Sequence, residues 1–66
     1  MNEINTTWFT ITNWDKTVFD TPDVEEARLS LREGKEVVKT TRRVFASGPS
    51  NVYLTVITDI KKIKDL

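Results

Sequence analysis

The chain has no cysteine and no histidine. The first absence removes any disulfide staple. Together they remove zinc and other soft-metal sites, which are built from thiolates and imidazoles. Nucleophilic catalysis also loses its usual base and its most reactive nucleophile. Only two glycines are present, and no P-loop, G-x-G-x-x-G or EF-hand spacing occurs. No apolar run approaches the ~20 residues that span a bilayer. Met1 to Thr7 has neither the basic start nor the apolar stretch of a secretory signal. These absences lead to the expectation of a cytoplasmic protein with no membrane association, cofactor, metal or small-molecule substrate.

Charge of one sign is lacking too: ten Lys and Arg stand against ten Asp and Glu. A neutral total argues against a strong non-specific nucleic-acid binder, which needs a dominant basic field. The halves differ, however. Residues 1–33 carry seven acids and three bases, and residues 34–66 carry three acids and seven bases. The second half therefore permits a local basic patch.

At 66 residues the chain reads as a single small domain, residues 1–66. A fold of this size buries only about 60% of the surface its unfolded chain exposes. Association is the remaining way to add buried area, and a homodimer is expected.

The polar start, residues 1–6, reads as a frayed arm. Thr7 to Thr12 is aromatic and β-branched, which is strand composition. Asn13-Trp14-Asp15-Lys16 has turn chemistry, and Thr17-Val18-Phe19 returns as a second strand. A helix is expected from about Thr21 to Glu33. Thr21 can cap it, Pro22 suits its first position, and Asp23, Glu25 and Glu26 favour the positive end of its dipole. Val24, Ala27 and Leu31 share one helical face, and Gly34 stops it. Residues 27–32 also alternate as a strand would, but the acidic start and closing glycine decide for helix. Val37 to Ala46 is β-branched and reads as strand. Ser47-Gly48-Pro49-Ser50-Asn51 is a loop, and Val52 to Ile57 is the next strand. Thr58-Asp59 then looks like the start of a short C-terminal helix, with strand continuing to Ile60 as the alternative. The fold class is α+β: β-β-α-β-β, a four-stranded, mainly antiparallel sheet with one helix on one face.

Closing the loop symmetrically pairs Ala46 with Val52, Val44 with Leu54, Arg42 with Val56 and Thr40 with Thr58. This register puts Val38, Val44, Ala46, Val52, Leu54 and Val56 on one face, the expected core face beneath the helix. Phe9, Ile11, Val24, Ala27 and Leu31 are expected to join it. Phe45, Tyr53, Arg43, Thr41 and Lys39 then share the open face, with Trp8 and Trp14. Arg42 falls on the core side, where it must lie beyond the helix rim, meet Glu25 or Glu26, or be brought out by a bulge.

No catalytic constellation is visible. Ser47 and Ser50 are ordinary turn residues, and the acids of 20–26 are explained by capping and the helix dipole. The expectation is that the protein is not an enzyme. The best functional candidate is the stretch Lys39, Arg42 and Arg43 with Phe45, Tyr53, Trp8 and Trp14. Arg and aromatic residues anchor protein partners. Basic groups with stacking rings also hold single-stranded nucleic acid. The plainer reading is a solvated strand whose cross-strand pairs only stabilise the sheet, with the tryptophans in the core. Size and layout are similar to those of small proteins of bacteriophages and other mobile elements that bind and modulate a host protein. That resemblance implies a regulatory or accessory module for a protein partner or for itself. Nucleic-acid binding is the alternative, and an enzyme the least favoured one.

Overall fold

The computed structural model describes residues 2–47 and 53–66. The chain order is β1 (Asn2–Thr12), β2 (Val18–Thr21), α1 (Val24–Arg32), β3 (Glu36–Ser47) and β4 (Tyr53–Ile63). All pairings are antiparallel, and the sheet order is β2-β1-β3-β4. The β-β-α-β-β architecture agrees with the sequence reading, while several boundaries differ from it.

β1 begins at Asn2, so residues 2–6 are strand rather than an arm, paired with Arg42 to Ala46. Their polar composition hides a strand because neither of its faces is covered there. β4 runs on to Ile63, which removes the expected C-terminal helix. Ile57, Thr58, Ile60 and Ile63 are β-branched, and β3 offers them a continuous ladder down to Val37.

The β1–β2 turn closes through Asn13: the Lys16 amide donates to the Asn13 carbonyl (3.0 Å), and the Asn13 amide donates to that of Thr17 (2.8 Å). Lys16 takes a positive φ of 73°, the left-handed residue that completes a three-residue hairpin loop. Helix α1 is capped by Asp23, whose carboxylate accepts the Glu25 amide at 2.9 Å. Thr21, expected as the cap, instead ends β2 and accepts the Asp23 amide on its hydroxyl. Gly34 follows the helix at φ +85°, as a C-terminal glycine should.

The largest correction concerns the core face. The buried apolar residues are Phe9, Ile11, Ala27 and Val37, with Phe19, Leu31 and Ile63 packed against them. Phe9, Ile11, Ala27 and Leu31 belong to the core as expected. Val44, Leu54 and Val56 do not: they lie on the opposite face, where Leu54 is 61% and Val56 56% exposed. Val24 is largely exposed as well. The physical reason is the direct pairing of β1 with β3, which sets Ile11 opposite Val37 and Val37 opposite Ile63. Facing pairs share a side, so the odd-numbered residues of β3 go beneath the helix. The β3–β4 register also differs by two residues: Val44 pairs with Val56 and Ala46 with Leu54. A two-residue shift preserves facing, so the two sets of residues stay together while their roles exchange. The Gly48-Pro49 turn and Val52 lie outside the described residues.

β3 has 12 residues and α1 only nine. At strand and helix rises these span about 40 Å and about 14 Å. The helix therefore covers one end of the sheet. The radius of gyration is 15.0 Å, against about 11 Å for a compact chain of this length.

Candidate functional site

The uncovered end of the sheet is a three-stranded ribbon made by residues 2–7 of β1, 41–47 of β3 and 53–59 of β4, and both of its faces meet solvent. Its side chains fall in rows across the strands. On the face away from the helix, Ile4, Val44 and Val56 form one row, with Ala46 and Leu54 beside it. Further in, Trp8, Thr40 and Ile60 form another. Ile4 is 65% and Ile60 69% exposed. This aliphatic strip is the feature that sequence reasoning missed, because it assigned half of the strip to the core and Ile4 to an arm. The signal that could have found it is the spacing of Ile4 from Trp8, two alternate positions apart and so on the same face of a strand continuous with Thr7–Thr12.

On the helix side of the same ribbon stand Arg43, Phe45, Tyr53 and Ile57, with Lys39 and Lys61 closer to the helix. Arg43 and Tyr53 are exposed and Phe45 is half-buried. The proposed cluster is therefore divided. Lys39, Arg43, Phe45 and Tyr53 share one face, as expected. Arg42 and Trp8 share the other, where the Arg42 guanidinium lies 5.7 Å from the Trp8 ring centroid. Arg42 is not on the core side. The ladder runs unbroken from Glu36 to Ala46, so no bulge is needed to bring both arginines out. Trp14 joins neither face. It sits in the β1–β2 turn, 65% exposed, with the Lys35 ammonium 5.1 Å from its ring.

Electrostatics around the ribbon are mild. Asp15 is held below its ordinary value by the hydroxyl and amide of Thr17, and Glu36 is held low by its hydrogen bond and charge contact with Lys62. Both are surface groups far from the strip. Lys39 and Lys61 face each other across β3 and β4, and like charges so placed repel. Among the described residues, no group of three or more metal-ligating side chains comes together, and no helix is long and apolar enough to cross a membrane.

The geometry defines a small α+β module with an incompletely covered antiparallel sheet. No family model matches the chain, and no curated protein or solved structure shows significant similarity to it.

Proposed function

We propose that this chain is a small accessory or regulatory binding module whose working surface is the uncovered sheet end, and that its partner is a protein. The supporting observation is the ribbon with both faces in solvent. The chain exposes 5024 Å², about 700 Å² more than a compact protein of its mass. That excess is close to the roughly 800 Å² each partner contributes to a standard interface. The strip around Ile4, Val44, Leu54 and Val56 supplies the apolar centre of such an interface, and Arg42 over Trp8 supplies an amphipathic rim.

A second reading has its own support on the opposite face. Lys39, Arg43 and Lys61 share that face with Phe45 and Tyr53, a combination that holds backbone phosphates and stacks bases. Capture from native lysate, with and without nuclease, separates the two. Protein capture should survive nuclease and fall when Leu54 and Val56 are changed to Ser. Nucleic-acid capture should vanish with nuclease, weaken steeply between about 50 and 200 mM salt, and fall with Arg43→Ala and Tyr53→Ala. Loss of neither kind in any of these variants would remove the uncovered sheet end as the working surface.

A further inference from the structure

β4 is the outer strand of the sheet, and Tyr53 to Lys62 are exposed along its whole length. An open edge of 11 residues is a template for another strand. Its sequence between 57 and 63 reads Ile-Thr-Asp-Ile-Lys-Lys-Ile. About Ile60 this segment is symmetric in its apolar positions, and it sets Asp59 against Lys61.

We infer that β4 pairs with β4 of a second copy of this chain, antiparallel and two-fold symmetric, with Ile60 on the axis. This goes beyond the binding-module reading, because it uses the β4 edge at 57–63 and not the strip around Ile4, Val44, Leu54 and Val56. In a two-fold antiparallel pair, residue i faces residue 120 − i when the axis passes through position 60 (twice the axial position). Asp59 then faces Lys61 of the second copy, and Lys61 faces its Asp59. Ile57 faces Ile63 of the second copy twice over, and Ile60 meets Ile60. The neighbouring symmetric registers are worse. An axis at 59 opposes Asp59 to itself, and one at 61 opposes Lys61 to itself. An axis at 58 sets Asp59 against Ile57. Within β4, the axis at 60 is the symmetric register that sets an acid against a base, and the charges favour it in that way.

Two further observations point to the same occupant. Asp59 and Lys61 make no ion pair and no side-chain hydrogen bond among the described residues. Lys61 meanwhile sits opposite Lys39 within its own sheet, a repulsion that the incoming Asp59 offsets. An open groove of about 420 Å³, lined by Lys39, Lys61, Lys62 and Ile63 with the C-terminal residues 64–66, adjoins the same end of β4. The product is a continuous eight-stranded sheet. Both helices lie on the same side of it, since a two-fold axis normal to a sheet preserves its faces.

A charge swap read by sedimentation velocity at tens of micromolar tests this. The wild-type chain should sediment at twice its 7.6 kDa mass. Asp59→Lys and Lys61→Asp should each weaken the dimer about tenfold or more, since each places like charges opposite one another twice. The double variant should restore it. Circular dichroism should show every variant folded, because both side chains are exposed. A monomeric wild type, a dimer indifferent to the single changes, or singles not rescued by the double would each overturn the inference. A monomer that still captures a different protein through the Leu54–Val56 strip would leave the broader reading standing, and a rescued dimer that captures nothing would leave only this one.

Discussion

Ile11 and Val37 face each other across β1 and β3 with no exposed surface. Truncating Ile11 to Ala deletes methyl groups where the helix and two strands converge, and should cost about 2–5 kcal/mol. A chain of this length has only about 3–10 kcal/mol in all, so the variant should populate the unfolded state visibly in a urea titration. Leu54→Ala is the informative contrast. On the expected core face it would carry a similar cost. At 61% exposure the change should lie within about 0.5 kcal/mol of wild type in the same titration. Lys16, at φ 73°, bears the steric penalty of the left-handed region. Lys16→Gly relieves about 1–2 kcal/mol of strain and loses about 0.5–1 to backbone entropy, so a small rise in melting temperature is expected. Beside it, Thr17 donates its hydroxyl to Asp15. Thr17→Val should bring the Asp15 titration, followed by NMR, back up toward its ordinary value of 3.8.

At the scale of the element, α1 depends on its first turn. Asp23→Ala removes the acceptor for the Glu25 amide and should cost about 1 kcal/mol in thermal or chemical unfolding. Thr21 was the expected cap, but the strand pairing of β2 with β1 carries Thr21 into the ladder opposite Phe9 and passes the capping role two residues on. In the β3–β4 hairpin, Lys62 reaches Glu36 at 2.7 Å. Glu36 is held below its ordinary value of 4.5 by that contact. A carboxyl group with a lowered folded value binds its proton less readily when folded. Its contribution is therefore present above the unfolded value and is lost as pH falls through the folded one. Glu36→Gln should flatten the acid limb of the stability profile below about pH 4.5 by removing that contribution from the neutral region, so the variant should be slightly less stable than wild type at about pH 7 and the two profiles should converge at low pH.

For the whole molecule, order should be graded along the sheet. The end near Ile11, Val37 and Ile63 is packed beneath α1, while the end near Ile4, Val44 and Val56 has no helix over it and is held by its ladders and cross-strand side-chain rows. Backbone hydrogen bonds flanked by solvent open locally at low free energy. Amide exchange in a monomeric variant should therefore be slowest at 9–12 and 37–40 and fastest at 2–6 and 42–46. Binding on the strip should slow the second set selectively. Uniform protection from 2 to 12 in the free monomer would mean that the uncovered end is as stable as the helix-covered one.

The elements were legible in the sequence because their signals are local. A β-branched run after Gly34, an acidic helix start and turn chemistry at Asn13 each act within a few residues, and β-β-α-β-β follows from them. The same locality kept Arg43, Phe45 and Tyr53 together on one face, since alternation along a strand and parity across a hairpin survive a two-residue slip. Two adjacent valines, Val37 and Val38, show where local information ends: either could face the helix. The choice was made by β1, which pairs with β3 across 23 or more intervening positions and brings Ile11 against Val37. That contact turned Leu54 and Val56 to solvent, drew residues 2–6 into the sheet and put Arg42 on the face away from the helix. Hydropathy alone could not anticipate it, because burial depends on how far a nine-residue helix reaches along longer strands, and that length mismatch exists only once the strands lie side by side.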